Sequence, residues 1–152
     1  MIYLVSLFVF IADYLTKLWA VSALTFGESR AIMPYFNLFL VSNRGISFSL
    51  FSADNTSGVI LLILITLAIC GYIIYLIKTE TDTFSRVALA MVLGGALGNI
   101  IDRIQYGFVV DFLDFYWGKY HFPAFNVADS FITIGVGLYL FRMITKKENT
   151  NA

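Results

Sequence analysis

Four long apolar stretches divide this chain, and a few charged residues fall inside them at helical spacing. The first spans about residues 2–24 and is interrupted by Asp13 and Lys17. The second, about 58–77, carries no charge over a length matching the roughly 20 residues that cross a bilayer core. The third covers about 85–103 and ends at Asp102-Arg103. The fourth covers about 127–144, with Asp129 near its start. Each predicts a transmembrane helix. The first lacks a basic n-region and a small-residue cleavage site, so it reads as a span rather than a removable signal peptide.

The connections have a different texture. Ile46, Phe48 and Leu50 alternate with Ser47 and Ser49, which is the period of a strand. Phe36, Leu38 and Leu40 suggest an earlier strand after Pro34. Residues 25–57 therefore predict a small β-rich element on the membrane surface. Residues 104–126 form a second long connection, rich in aromatic side chains that favour the headgroup level. The expected fold is an α-helical integral membrane protein: one membrane domain over residues 1–152, with four spans and a β-rich extracytoplasmic surface element.

Orientation rests on the basic residues near span ends. Arg142, Lys146 and Lys147 follow the fourth span, and Lys78 and Arg86 flank the turn between the second and third. With an even number of spans, both termini and that turn lie on one side, taken as the cytoplasm. The two long connections then lie outside.

Composition sharpens this picture. The chain is 59% hydrophobic and 13% charged, against about 45–50% and about 25% in soluble domains. A formal net charge of zero leaves no basic excess for nucleic acid. One cysteine, Cys70, excludes an internal disulfide, and with one histidine, His121, a His/Cys metal cluster is not expected. Cys70, deep in the second span, reads as a packing residue. His121 is expected at an interface or loop. No metal or cofactor is expected.

Ionisable residues inside a span are costly, about 2.5–3.5 kcal/mol each at the bilayer centre by insertion scales, and point to function. Asp13 and Lys17 share one helix face, as do Asn99, Asp102 and Arg103, and Asn126 and Asp129. Chain direction brings the ends of spans one and three and the start of span four to the outer boundary. Asn43, Gly45 and Asp111 lie in the outer connections. The polar groups thus converge on one outer pocket. Asp13–Lys17 and Asp102–Arg103 can be read as neutralised pairs that hold helices together, and Asn99 as interhelical hydrogen-bond glue. Gly94 and Gly98 form a small-residue face for close packing. Asp111 and Asp129 have no basic residue three or four positions away and call for another reason.

Two neighbouring carboxylates do not both ionise cheaply, so one keeps a proton while the other stays charged. The charged one can take a proton from water, and the protonated one can donate to a scissile carbonyl. That is hydrolysis by general acid–base catalysis. A small proton- or ion-coupled transporter would also place acids in spans, and a non-catalytic lipid-binding or assembly protein is a further reading. Against the transporter stand four spans, no inverted repeat, and acids near one surface rather than the midplane.

Five motifs, in order along the chain, resemble the lipoprotein signal peptidases (signal peptidase II). They are Asp13-Tyr-Leu-Thr-Lys17, Asn43-Arg-Gly45-Ile-Ser-Phe48, Gly94-Gly-Ala-Leu-Gly-Asn99-Ile-Ile-Asp102-Arg103, Val109-Val-Asp111-Phe112 and Phe125-Asn126-Val-Ala-Asp129-Ser130. The resemblance implies an aspartic endopeptidase of the bacterial cytoplasmic (inner) membrane, with Asp111 and Asp129 catalytic near the extracytoplasmic face. It implies that Asn99, Asp102, Arg103 and Asn126 hold the pocket, that Asn43 and Gly45 help bind substrate, and that Asp13 and Lys17 brace the first span. The implied partners are membrane lipid and prolipoproteins with a diacylglyceryl-modified cysteine, cut just before that cysteine by a monomer. Ile46 and Ser47 stand where the family often has two alanines, and Tyr14 where glutamine is commoner.

Overall fold

The structure, a computed structural model, describes residues 1–45 and 56–150, with side chains as far as Lys146. The strand expected at Ile46–Leu50, and with it the substitutions at Ile46 and Ser47, lies outside the described residues. Four helices are long and apolar enough to cross a membrane: α1 (Ile2–Ala23), α2 (Thr56–Thr79), α3 (Thr83–Tyr106) and α4 (Val127–Thr150). At about 1.5 Å per residue each exceeds the roughly 30 Å hydrocarbon core. Their outward faces carry large exposed apolar side chains, such as Leu64, Ile65 and Phe141. In water this would be a liability; in a bilayer the lipid tails do the covering.

The helix α3 is the centre of the bundle, and small residues put it there. It packs on α1 through Gly94 and Gly98. A Cβ at Gly94 would stand 2.5 Å from the Ser6 carbonyl oxygen, and one at Gly98 would overlap the Asp13 carboxylate. The Ser6 hydroxyl donates across the same interface to the Ala90 carbonyl at 2.8 Å. On another face Gly95 would carry a Cβ 2.6 Å from the Ala128 carbonyl oxygen of α4, and Gly135 of α4 approaches Ala88 in the same way. Between apolar helices in lipid, close approach of this kind replaces the hydrophobic effect as the cohesive term. A third face buries Leu89, Leu93 and Ile100 against Cys70, Ile73 and Ile77 of α2, so Cys70 is the packing residue expected.

Both ends of α3 are written in its sequence. Asp82 caps the start by accepting from the Ser85 amide at 2.9 Å. Gly107, at φ +78°, ends the helix in the left-handed region that a glycine enters without strain. The chain then turns into a sheet at that end of the bundle.

The sheet is antiparallel in the order β1 (Ser29–Met33), β2 (Phe36–Asn43), β3 (Val109–Trp117) and β4 (Tyr120–His121). The expected strand at Phe36–Leu40 is β2. The connection over residues 104–126, expected as an aromatic interfacial segment, contains the two strands β3 and β4, which the sequence reading did not assign. Its run Val109-Val-Asp-Phe-Leu-Asp-Phe-Tyr-Trp117 combines β-branched and aromatic residues, which pack well on a pleated surface. β2 and β3 pair with Val41 opposite Asp111 and Asn43 opposite Val109, after a bulge between Leu38 and Val41. The two long connections therefore form one element. It rests on the bundle through a core of Leu38, Leu40, Val110 and Phe112 against Ala20 of α1.

The close approach at Gly98 yields a test. Gly98→Ala must displace Asp13 or separate α1 from α3, and overpacking of this kind costs about 1–3 kcal/mol. The variant is expected to unfold at a lower temperature in detergent. Gly71→Ala, on an open face of α2, is expected to be neutral or slightly stabilising, because alanine is the better helix former. Equal melting temperatures for wild type and Gly98→Ala would refute the packing argument.

Candidate active site

The site is assembled where β3 meets the start of α4. Phe125, just before that helix, acts as a short bridge to β3: its amide donates to the Leu113 carbonyl at 3.0 Å, and its carbonyl accepts from Phe112 and Leu113. This clamp sets Asp111 on the strand beside the first turn of α4, which carries Asp129.

Asn126 is the N-cap of α4. Its Oδ1 accepts from the Asp129 amide at 2.8 Å, which meets the preference for asparagine at a helix start. The same side chain's Nδ2 is then free to point the other way. It donates to Asp111 Oδ1 at 2.7 Å and, more distantly, to the Asn99 Oδ1 and the Val110 carbonyl, each at 3.3 Å. One amide group thus holds a strand carboxylate and a helix terminus in fixed relation. Asn99 of α3 completes the link by donating to Asp129 Oδ1 at 2.8 Å.

The two carboxylates sit in unlike surroundings. Asp111 is buried, at 1% exposure. Its Oδ2 accepts from Asn43 Nδ2 at 2.9 Å. Asn43 is aimed by its own loop: its Oδ1 accepts from the Gly45 amide at 3.1 Å, and Gly45 takes φ +134°, where a side chain would be strained. Burial pushes Asp111 up to about 7, and the nearby Asp129 charge adds to the rise. The hydrogen bonds from Asn43 and Asn126 and the Lys17 charge oppose it without cancelling it. Asp129 is half-buried and opens onto a groove of about 380 Å³ lined by Phe122, Phe125, Ser130, Thr133 and Ile134.

Beneath the pair lies a buried ion cluster. Lys17, 3% exposed, reaches Asp13 Oδ2 and Asp102 Oδ2, both at 2.8 Å, and donates to Asn99 Oδ1 at 2.9 Å. Each carboxylate has a second duty. Asp13 Oδ1 accepts from the Ala128 amide at the start of α4 at 2.8 Å, and Asp102 Oδ2 accepts from the Val110 amide of β3 at 2.9 Å. The Asp13–Lys17 pair is as expected, but the Asp102–Arg103 pair is not formed. Adjacent residues on a helix point about 100° apart. Asp102 turns inward to Lys17, while Arg103 donates to the Asn99 carbonyl at 3.2 Å and feels the charges of Asp129, Asp102 and Asp111.

All ten candidate residues therefore belong to one connected network of hydrogen bonds and ion pairs, of which Asp129 opens onto the groove. Sequence reasoning missed Asp114. It is buried on β3, accepts from Asn37 Nδ2 at 3.0 Å, and contacts His121 Nδ1 at 2.9 Å. This polar cluster ties β4, where the half-exposed His121 sits, to the sheet. A second carboxylate in a β-forming run was the available signal. The groove residues Ser130 and Thr133 were also missed; the available signal was Thr133's place one turn after Asp129 on the same helix face.

Comparison with known proteins bears directly on this pocket. Residues 5–145 match the family described as Signal peptidase (SPase) II. The chain belongs to the signal peptidase II family. A "Lipoprotein signal peptidase" of Paraburkholderia phymatum is 44% identical over 90% of this chain and 83% of its own. Those of Shewanella piezotolerans and Vibrio cholerae are 46% and 42% identical over 91% and 89% of this chain and 82% and 81% of theirs. A bacterial membrane enzyme structure solved by the in meso method at 2.3 Å superposes with a TM-score of 0.85, at 33% identity, over 96% of this chain and 88% of that one. As a signal peptidase II, the chain is a protease of the membrane-embedded, multi-span type, and the transporter reading finds no support.

The ion cluster generates a thermodynamic test. Lys17→Met leaves Asp13 and Asp102 facing each other without a cation, and breaking a buried pair from one side costs about 3–5 kcal/mol. A large drop in thermal stability in detergent is expected. Adding Asp13→Asn and Asp102→Asn keeps acceptors for the Ala128 and Val110 amides and is expected to recover most of the loss. A triple variant as unstable as Lys17→Met would show that the charges are not what binds these elements.

Proposed function

We propose that this chain removes the signal peptide from lipid-modified prolipoproteins by general acid–base catalysis at Asp111 and Asp129. The supporting observation is their asymmetry: both are tied to one asparagine, but one is buried and holds a proton near neutral pH while the other faces the groove. Asp129, at a helix N-terminus whose backbone amides favour an anion, takes a proton from a water beside the scissile bond. Asp111 donates its proton to the scissile carbonyl oxygen as the tetrahedral intermediate forms. The intermediate then collapses: the amine leaves with the proton that Asp129 took up, and one hydroxyl of the gem-diol returns its proton to Asp111, which restores both carboxyl groups. Arg103, which feels the charges of both carboxylates, lowers the cost of the negative charge they share. The cut falls just before the diacylglyceryl-modified cysteine.

The same reading puts the pocket on the extracytoplasmic side of the bacterial cytoplasmic membrane. Arg142 and Lys146, near the far end of α4, support it. They pair with Asp82 and Glu80 of the α2–α3 turn at 2.9 and 3.4 Å, so the basic residues cluster at the end opposite the sheet. A single chain supplies every pocket residue named above, so a monomer suffices.

Asp111→Asn and Asp129→Asn are expected to stay folded and lose cleavage of a lipidated precursor by about 10²–10⁴-fold, the usual contribution of acid–base groups. In wild type, kcat/KM is expected to fall as pH rises through about 7, where Asp111 gives up its proton. Asn43→Ala removes a bond that favours the charged form, so that alkaline limb moves to higher pH. Near-normal turnover in either Asp→Asn variant, or an alkaline limb that moves down in Asn43→Ala, refutes the mechanism.

Topology has its own test. A cysteine replacing Lys119 is expected to react with a membrane-impermeant thiol reagent outside intact cells. A cysteine replacing Thr81 should react only after the cells are opened. Buried Cys70 serves as the internal control. The reverse pattern would invert the orientation.

A further inference from the structure

A small polar cavity lies where α1 ends and β1 begins. It holds about 250 Å³ and is lined by Ala23, Leu24, Thr25, Glu28, Ser29 and Arg30. β1 is separated from β3 by β2, so the cavity stands two strands away from the strand of Asp111. Glu28 and Arg30 both line it, yet among the described residues neither side chain has an ion-pair or hydrogen-bond partner. The hydroxyls of Thr25 and Ser29 are likewise uncommitted among the described residues. The end of α1 adds open acceptors. The Leu24 amide donates to the Ala20 carbonyl at 3.0 Å, but no described residue donates to the carbonyls of Val21, Ser22 and Ala23. These carry the partial negative charge of a helix C-terminus.

Below the cavity α1 turns an apolar face to the lipid. Phe8, Ile11, Leu15 and Trp19 are all exposed, and their spacing of three and four residues puts them on one face. Phe8 to Trp19 spans about 16 Å at 1.5 Å per residue, close to the roughly 15 Å depth of one leaflet's hydrocarbon. Trp19, nearest the cavity, is the ring type that favours the headgroup level. The cavity therefore stands at headgroup depth above a face on which an acyl chain can lie.

The chemistry of the lining selects the occupant. The Glu28 carboxylate and the open carbonyls only accept, so they call for a cation that carries N–H donors. Arg30 and the two hydroxyls donate, so they call for an oxyanion beside that cation, and a guanidinium matches phosphate with two parallel bonds. The volume gives room for roughly eight non-hydrogen atoms at about 30 Å³ each, and a phosphoethanolamine group has that many. We propose that this cavity binds the headgroup of phosphatidylethanolamine, with an acyl chain laid along Phe8–Trp19. The ammonium sits between Glu28 and the end of α1, and the phosphate sits on Arg30. A choline headgroup has no N–H to offer the carbonyls, and a glycerol headgroup has no cation for Glu28. The bound lipid ties the end of α1 to the edge strand of the sheet. None of this depends on which residues carry out the cleavage.

The test titrates the purified protein in detergent with phosphatidylethanolamine, its N-methyl and N,N-dimethyl forms, phosphatidylcholine and phosphatidylglycerol, all with the same acyl chains. Bound lipid is measured by native mass spectrometry. Glycerophosphoethanolamine, the soluble headgroup without chains, is a separate arm. Phosphatidylethanolamine is expected to bind about tenfold tighter than phosphatidylcholine or phosphatidylglycerol, the usual worth of a hydrogen bond to a charged group. The methylated forms should fall in between, and the soluble headgroup should bind far more weakly because it has no chain to lie on α1. Glu28→Gln should lower phosphatidylethanolamine to the level of phosphatidylcholine, and Arg30→Gln should weaken all the phospholipids alike. Both residues are exposed, so both variants should melt with the wild type in lipid-free detergent. Phosphatidylcholine or phosphatidylglycerol binding as tightly as phosphatidylethanolamine, an undiminished preference in Glu28→Gln, or a soluble headgroup that binds as well as the lipid overturns the proposal. The methylation series on wild type decides the matter even where a variant melts early. Because the readout is binding, it stands apart from the cleavage assay: failure here leaves the catalytic reading untouched, and failure there leaves this site untouched.

Discussion

One buried ammonium group organises this molecule. Lys17 of α1 contacts Asp13, Asp102 and Asn99, and each of these reaches a different part of the site. Asp13 holds the start of α4 through the Ala128 amide, Asp102 holds β3 through the Val110 amide, and Asn99 holds Asp129. A single charge thus ties three helices and a strand into one frame. In a low-dielectric interior such a charge tolerates little displacement from its partners, because every ångström lost is poorly screened. The frame is therefore stiff where the two carboxylates must be held.

The bilayer explains why the cluster sits at the end of the bundle. At mid-span every backbone group is satisfied within its own helix, and packing alone holds the helices, which is the task of Gly94, Gly95 and Gly135. At the end that carries the sheet the first amides of α4 have no intrahelical acceptor. Asp13 and Asn126 supply those acceptors from side chains. The polar residues that look expensive in a span are thus satisfying backbone groups that the helix geometry leaves open. Gly98 belongs to both regimes: it is a packing contact, and it makes the room in which Asp13 can lie.

Much of this was readable in advance, for identifiable reasons. The spans were legible because the bilayer fixes their length. The polar clusters were legible because residues three or four apart share a helix face, and the face of Asp13 and Lys17 is the face that meets α3. The pairing of Asp102 was misread because a neighbour in sequence was taken for a neighbour in space. The β3 strand was missed because its aromatic residues suit a headgroup layer as well as a sheet, and only its pairing with β2 decides between them. That pairing joins residues some seventy positions apart, as in the Asn43–Asp111 bond, and no local pattern encodes it. Asp114 was overlooked for the same reason, since its partner Asn37 lies on the other connection.

The difference between the two carboxylates follows from these same supports. Asp111 stands on a strand whose other face packs on the bundle core, with Val110 and Phe112 on either side of it fully or almost fully buried. It is closed off from water by the element that carries it, and its two asparagine donors offset that burial only in part. Asp129 stands on the first turn of a helix whose outer face meets lipid and groove, so it keeps an open side. No difference in residue type is needed: the strand buries one aspartate and the helix exposes the other. The Phe125 clamp holds the strand against the helix start, so the unlike surroundings of the two aspartates are set by backbone hydrogen bonds.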